Sequence, residues 1–500
     1  MADTAAAELS DRLDRLPFTR RHLKVLAGSG IGWALDAMDV GLISFVIAAL
    51  AVQWQLTGSE TAWIASIGFV GMAIGASLGG LLADRFGRRQ IFAITLLIYG
   101  LATGASALAG GLAVLLVLRF FVGLGLGAEL PVASTFVSEF APARIRGRVV
   151  VILEAFWAVG WTTAALISFF VIPASDDGWR WALALGVVPA VWAIAVRWGL
   201  PESPRWLARR GRGTEAESVV RGLETSPALF RAGARAAAAR AAASPGTAET
   251  AETARIAPDS STLRGQDGAR DAADPAASVA ERGMPQPSAS REASTRQGAT
   301  IRGRVATLWA REFRVRTACL WLVWFCVNFS YYGAFIWIPS ILVDQGYDLV
   351  RSFGFTLIIT LAQLPGYAVA AWLIEVWGRR ATLSVFLAGS AVCAVLFGTA
   401  GTEWAIIAAG MGLSFFNLGA WGALYAVTPE MYPTSLRGTG SGWAAGIGRI
   451  ASIIAPLAVP PLLVLGGTPV LFVVFAVFFV IAGAAAWGLV DKRGRALDDR

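Results

Sequence analysis

Six charged residues stand in stretches of the chain that are otherwise apolar: Asp36, Asp39, Arg119, Glu129, Glu154 and Arg449. A charge in hydrocarbon costs several kcal/mol unless it is paired or hydrated, so each is a candidate site. Asp36 and Asp39 are three residues apart and share a helix face. At 1.5 Å of rise per residue, Asp39 lies roughly 16 Å and Arg119 roughly 11 Å from the same side, depths compatible with an ion pair. A guanidinium keeps a nearby carboxylate ionised, and separating the two in low dielectric invites protonation. Arginine does not give up its proton, so Asp39 is the candidate carrier; a static buried ion pair is the competing reading.

The other embedded polar groups suit recognition. Glu154, Trp157 and Trp161 recur at i, i+3, i+7; Asn328, Tyr331, Tyr332 and Phe335 share a second face, and Asn417 and Trp421 a third. Glu129 and Gln363 join them as candidate contacts, and Arg449 stands near mid-depth. Aromatic walls with one guanidinium fit a small planar carboxylate, stacked on rings and held bidentately. For Arg449, ligand contact and pairing with a buried acid both stand as readings.

The elements that must hold these residues are membrane spans. The 500-residue chain is 56% hydrophobic and 15% charged, against about 25% charged in soluble domains. Residues 205–316 carry 19 Arg and 12 acidic residues, which supply +7 of the net +8; nucleic-acid binding by the chain as a whole is therefore not expected. The one histidine, His22, lies in the polar lead, which excludes Ser-His-Asp chemistry, histidine metal sites and a membrane-embedded histidine relay. Cys319, Cys326 and Cys393 fall in apolar runs and read as buried thiols. No phosphate-cradling Gly-Lys-Ser/Thr loop occurs, so no ATP-driven step is expected.

Because about 20 apolar residues cross a bilayer, twelve spans are expected. They lie near 25–50, 61–83, 91–109, 112–138, 149–172, 180–199, 317–342, 352–376, 382–400, 403–428, 439–464 and 468–490. Alternate connections carry Arg85, Arg88, Arg89; Arg144, Arg146, Arg148; the 205–316 stretch; Arg379, Arg380; and Arg437, whereas the opposite side shows only Arg180 and Arg351. The positive-inside rule then puts both termini and the long stretch in the cytoplasm. The expected organisation is a six-helix half over 1–204 and a largely disordered linker over 205–316 with amphipathic helices near 214–224 and 301–314. A second half over 317–490 and a tail over 491–500 complete it.

The halves repeat. Asp84-Arg85-Phe86-Gly87-Arg88-Arg89 returns as Glu375-Val376-Trp377-Gly378-Arg379-Arg380, and Glu139-x-x-Pro142-x-x-x-Arg146-Gly147 as Glu430-x-x-Pro433-x-x-x-Arg437-Gly438, both 291 residues on. An acid at a helix end, a glycine turn and two or three Arg form a network that ties neighbouring helix ends, a gating device at that surface. Duplicated halves place substrate between them near the midplane. Three other glycine runs, Gly28-x-Gly30-x-Gly32, Gly123-x-Gly125-x-Gly127 and Gly438-x-Gly440-x-Gly442, lack a preceding strand and read as close helix contacts.

These motifs carry a resemblance. Gly80-x-x-x-Asp84-Arg85-x-Gly87-Arg88-Arg89 resembles the loop signature of the major facilitator superfamily, and Pro201-Glu202-Ser203-Pro204-Arg205-Trp206-Leu207 its sugar-porter and synaptic-vesicle-protein side. Asp36-Ala-Met-Asp39-Val-Gly41, Glu129-Leu-Pro-Val-Ala-Ser-Thr135, Glu154-Ala-Phe-Trp-Ala-Val-Gly-Trp161, Phe329-Ser-Tyr-Tyr-Gly333 and Ser414-Phe-Phe-Asn-Leu-Gly-Ala-Trp421 resemble the bacterial niacin transporters within it. The likeness covers 25–204 and 305–485, and the 208–300 insertion departs from it. It implies an all-α fold of twelve transmembrane helices in two six-helix pseudo-repeats and a non-enzymatic, monomeric symporter of the bacterial inner membrane. It also implies that Asp39 and Arg119 occupy the sugar porters' proton-coupling positions. Where those porters carry glutamines, this chain has Glu154, Trp161 and the Cys326-Val327 region, a change that favours a flat, partly apolar substrate. The expected activity is proton-coupled uptake of niacin or a similar aromatic carboxylate, with no cofactor beyond the proton gradient. A benzoate-like acid, a sugar-like metabolite and a non-transporting sensor are the alternatives.

Overall fold

A backbone in hydrocarbon has to satisfy its own N–H and C=O groups, and this chain does so as helix. The structure, a computed structural model, describes residues 2–142, 145–229 and 301–489. Arg144, the 230–300 portion of the charged stretch and the tail with Lys492, Arg493 and Arg495 fall outside the described residues. Among the described residues the sole β feature is an isolated bridge between Thr19 and Ala228.

In the first half, spans 1 to 5 are Arg20–Gln53, Gly58–Phe86, Arg88–Ser106, Leu112–Phe140 and Arg146–Val171. Span 6 is the pair Gly178–Leu185 and Val188–Gly199. In the second, span 7 is Arg314–Phe335 continued by Ile338–Asp344, and span 8 is Leu349–Leu361 with Gln363–Val376. Spans 9 and 10 are Arg379–Gly398 and Glu403–Val427. Thr434–Ala486 holds spans 11 and 12, parted at Gly466 and Gly467, where Gly467 has φ +66°. All twelve expected spans are present, packed as one unit.

Proline explains the internal breaks. Its ring clashes with the carbonyl four residues earlier. Pro189, Pro339 and Pro365 lie four residues after Leu185, Phe335 and Leu361, the residues at which spans 6, 7 and 8 interrupt. The duplicated turns use glycine for a backbone reason as well: Gly87 and Gly378, 291 residues apart, have φ +108° and +91°, a region closed to most side chains. At the end of the molecule with few arginines, side-chain caps start the helices: Thr57 and Glu60 form a capping box on span 2, Asp348 caps span 8 and Thr402 caps span 10.

Glycine also sets the closeness of spans 2 and 4. A side chain at Gly71, Gly75, Gly123 or Gly127 would run into facing backbone, the small-residue packing expected in a membrane. The reading fails for one run: Gly438 and Gly442 face open space, and only Gly440 is pressed, against the Tyr432 ring. Outward surfaces are apolar and aromatic, with Leu108, Trp198, Trp404 and Val464 among the most exposed side chains.

The segment after span 6 departs from a plain linker. Pro204–Arg209 and Gly213–Glu224 are helices, and Ala216, Val220 and Leu223 are buried. The expected amphipathic helix exists, and its apolar face meets protein. A helix at Ala2–Arg15 supplies the partner, burying Leu9 and Leu13. Its Arg12 donates to Glu217 at 2.8 Å and to Glu224 at 3.0 Å. The hydrogen bond to Arg12 holds the Glu217 carboxyl below its ordinary pKa. In the second amphipathic segment, the helix Ile301–Leu308 buries Leu308.

Gly123→Leu is expected to lower thermal stability in detergent by about 3 kcal/mol, since over-packing against backbone cannot relax. Gly442→Ala, with open space, should leave the unfolding temperature within the error of a fluorescence melt.

Candidate functional site

The two halves meet around a central cavity with about 470 Å³ of empty space, open solvent included. The first half contributes Trp33, Glu154 and Trp157; the second contributes Trp324, Asn328, Tyr331, Tyr332, Tyr367, Trp421, Tyr425, Ala445 and Arg449. The rings pack on one another: Trp33 and Trp157 tilted at 5.3 Å, Tyr331 and Trp421 edge to face at 5.7 Å, Trp421 and Tyr425 stacked at 5.6 Å. Trp157 Nε1 donates to the Tyr331 hydroxyl at 3.2 Å, a hydrogen bond from one half to the other. Arg449 lies beside the Tyr332 hydroxyl, with Nη1 3.6 Å from Met72 Sδ. No carboxylate comes within 4.0 Å of it among the described residues. Asn328 is on the wall, but its amide is engaged: Nδ2 donates to the Trp324 carbonyl at 2.8 Å and Oδ1 accepts from Ser452 at 3.2 Å.

A second cavity, about 350 Å³ of empty space, contains Asp39 and Arg119. Arg119 Nη1 is 3.4 Å from Asp39 Oδ2, and both side chains are buried. Thr103 joins them, donating to Asp39 Oδ1 at 2.5 Å and accepting from Arg119 Nη2 at 3.3 Å. Phe69 and Met72 line this cavity too, and they touch Tyr332 and Arg449 of the first.

At the arginine-rich end the duplicated motifs form ion pairs. Arg88 pairs with Asp84 at 2.6 Å and with Glu139 at 3.4 Å. Glu139 also accepts from Arg209 at 2.8 Å and from Ser203. In the second half Arg379 pairs with Glu430 at 3.1 Å. Since 291 residues separate Arg88 from Arg379 and Glu139 from Glu430, this is one ion pair built twice. Contacts between the halves lie mid-span or at the opposite end: Phe45 on Phe353 at 5.2 Å, Ser66 Oγ on the Ile453 carbonyl at 3.0 Å, Phe169 at Gly354 and Pro460 at Gly58.

A family profile described as "Sugar (and other) transporter" matches residues 31–248 and 269–495. The chain belongs to this family of the major facilitator superfamily. It is 44% identical to the niacin transporter NiaP of Acinetobacter baylyi over 91% of each chain. It is 27% identical to the synaptic vesicle 2-related protein of Xenopus laevis, over 98% of this chain and 82% of that one. A solved structure of the xylose transporter XylE from E. coli, described as a partially occluded inward-open conformation, matches with TM-score 0.67 at 17% identity, covering 95% of this chain and 99% of that one. The protein is thus a multi-pass membrane transporter. The family match also enters the insertion expected to depart from it, leaving only 249–268 outside.

Within this transporter the sequence-derived residues separate by depth. Trp161, Gln363 and Asn417 are buried behind the cavity rather than on its wall. Each lies four residues from a wall residue (Trp157, Tyr367, Trp421), one turn toward the end where the halves are closed. Glu129 is also off the wall, fully buried beside Gly32 and Tyr99. Asp36, grouped with Asp39 by spacing, lacks its contact with Arg119; the field it feels comes chiefly from Arg449. A helix turns about 100° per residue, so a three-residue step leaves the two carboxylates aimed differently.

The gating group also divides. Arg85 lies over Phe86, Arg380 over Trp487, and Arg437 donates to the Pro429 carbonyl. Arg146 reaches Asp14 of the amino-terminal helix at 2.8 Å instead of a motif acid. Arg89 donates through its backbone to Glu202 and through Nη1 to the Leu200 carbonyl, and Glu375 is exposed. Spacing had not singled out Glu202, Ser203, Arg209 and Asp14 as part of this network, nor Trp33, Trp324, Tyr367 and Tyr425 as wall. The signal for the wall was present: each of these four rings is three or four residues from a named candidate.

Glu139→Ala leaves Arg88, whose side chain is 6% exposed, with Asp84 alone and removes the acceptor of Arg209 and Ser203, and is expected to cost about 2 kcal/mol in detergent unfolding through lost charged hydrogen bonds. Asp84→Ala, at a side chain 69% exposed, should cost less than about 1 kcal/mol.

Proposed function

We propose that this transporter carries nicotinate, or a closely similar small aromatic carboxylate, into the bacterial cell together with a proton, by alternating access. The observation that carries the reading is the cavity itself: ring walls from both halves, with Arg449 free of any carboxylate partner within 4.0 Å among the described residues. A guanidinium in that position takes a carboxylate bidentately, and the rings take the flat face. The 44% identity to a protein named a niacin transporter supports the same substrate. A sugar site of neutral amides is not offered here, since the one amide on the wall, Asn328, already donates to the Trp324 carbonyl and accepts from Ser452.

The proton is taken by Asp39. Arg119 and Thr103 both contact its carboxylate, and loss of either contact removes a partner from a buried charge that a proton would neutralise. Met72 connects the two events, since it lines the Asp39 cavity while its sulfur touches Arg449. A ligand that draws Arg449 toward itself therefore disturbs the wall of the proton site. The gradient of protons is the only energy source invoked.

In this proposal the arginine-rich end, the 205–316 segment and both termini face the cytoplasm of a bacterial inner membrane, and the protein works as a monomer. The halves then close on the outer side through Phe45 and Phe353 and around Pro460, which makes the present state inward-facing. Rocking to the outward state would bring Trp161, Gln363 and Asn417 to the cavity wall. A benzoate-like acid is the second reading, because the rings and Arg449 would accept it equally; a sensor that moves nothing is the third.

In proteoliposomes, labelled nicotinate should accumulate only with an inward proton gradient. Asp39→Asn should retain nicotinate exchange and lose accumulation, while Arg449→Gln should raise KM at least about tenfold through loss of a charged hydrogen bond. Full accumulation by Asp39→Asn would refute the coupling role, and no gradient-driven uptake of any aromatic acid would refute the function.

A further inference from the structure

The cavity holds one feature that recognition of a carboxylate does not use. Glu154, on span 5, lines it from the first half and is 4% exposed. No Lys or Arg forms an ion pair with it among the described residues, and its close neighbour is the neutral indole of Trp33. A buried carboxylate without a cation is costly unless something supplies a proton or a donor. The fold does not require it: the residue 291 positions on is Ala445, which lines the same cavity. The duplicated scaffold thus accepts a methyl group at this place in one half and presents a carboxylate in the other.

The wall therefore carries one acid from the first half and one base, Arg449, from the second, with aromatic faces between them. That pattern complements a flat ring bearing a carboxylate and a basic nitrogen. We infer that Glu154 is a specificity-determining residue that shares a proton with the ring nitrogen of a pyridine carboxylate whose carboxylate is held by Arg449. The inference rests on the proposed substrate class and narrows it. The only change is in proton position: one proton lies between a Glu154 carboxylate oxygen and the ring nitrogen, and no other bond forms or breaks. With that proton included, acid and base on the protein meet base and acid on the ligand, so the occupied cavity carries no uncompensated charge. Benzoate satisfies Arg449 but leaves Glu154 without a donor, and nicotinamide lacks the carboxylate for Arg449.

The test is counterflow of labelled nicotinate in proteoliposomes of the full chain, with benzoate and nicotinamide as competitors, for wild type and Glu154→Gln. In wild type, benzoate and nicotinamide should each compete at least about tenfold more weakly than unlabelled nicotinate, the effect of one charged hydrogen bond. Glu154→Gln should weaken nicotinate about tenfold and leave benzoate unchanged, bringing the two within about threefold of each other. Benzoate competing as well as nicotinate in wild type would overturn the role of Glu154, needs no variant, and leaves aromatic-acid transport standing. A Glu154→Gln protein that keeps the wild-type preference would overturn it as well. Failure of unlabelled nicotinate to compete in wild type would instead overturn the substrate class.

Discussion

The cost of placing charge in hydrocarbon organises this molecule. Its consequences are visible at three depths. At the lipid-facing surface, exposed side chains such as Leu108, Trp198 and Trp404 carry no charge. At the arginine-rich end, where water is near, charges are abundant and linked, Arg88 to Asp84 and Glu139, Arg379 to Glu430. In the interior, charge is confined to a few groups beside the two cavities. Asp39 and Arg119 satisfy each other with help from Thr103, whereas Arg449 and Glu154 open onto the central space without a mutual contact. The first arrangement is closed on itself; the second opens onto the central space.

Duplication supplies the scaffold and divergence supplies the chemistry. The glycine turns at 87 and 378 and the pairs Arg88–Glu139 and Arg379–Glu430 repeat at the same offset. The embedded charges do not. The positions 291 residues after Asp39, Arg119 and Glu154 are Ser330, Gly410 and Ala445, and the counterpart of Arg449 in the first half is Ala158. The turns and ion pairs that build each half are therefore shared between them. What must differ, an anion-binding group on one side and carboxylates on the other, has been written into only one copy of each position.

Much of this was legible in the sequence because hydrocarbon imposes long, simple patterns. Span length, arginine placement and the 291-residue offset all report on the bilayer, and all twelve helices are where those patterns put them. The breaks in spans 6, 7 and 8 fall at Pro189, Pro339 and Pro365, but Pro131, Pro456 and Pro460 sit in unbroken helix, so proline alone does not mark a break in the sequence. Depth within the closed assembly was not legible. Helical periodicity reports which face a side chain occupies, so Trp161 was grouped with Trp157 and Asn417 with Trp421. Which turn of that face remains open depends on where the halves touch, through pairs such as Phe45 and Phe353 that are distant in sequence. The packing of Gly213–Glu224 on Ala2–Arg15 was hidden for the same reason, since Arg12 and Glu217 are 205 residues apart.

The same division between local and distant contacts bears on how the molecule can move. Within each half, spans interlock through glycine-lined backbone contacts and ion pairs, interactions that a rigid-body rotation need not disturb. Across the halves the polar contacts are weaker in kind: a hydroxyl on a carbonyl at Ser66, an indole on a phenol at Trp157, a guanidinium on a thioether at Arg449. The two neutral hydrogen bonds are worth about 1 kcal/mol each, and the thioether is a weak acceptor for the guanidinium. Two of the three, at Trp157 and Arg449, involve cavity-wall residues. A ligand there replaces contacts that hold the present state with contacts of its own, and those contacts fall on both halves at once. In the proposed cycle, binding and rocking are then linked by shared atoms, with no separate signal between distant sites.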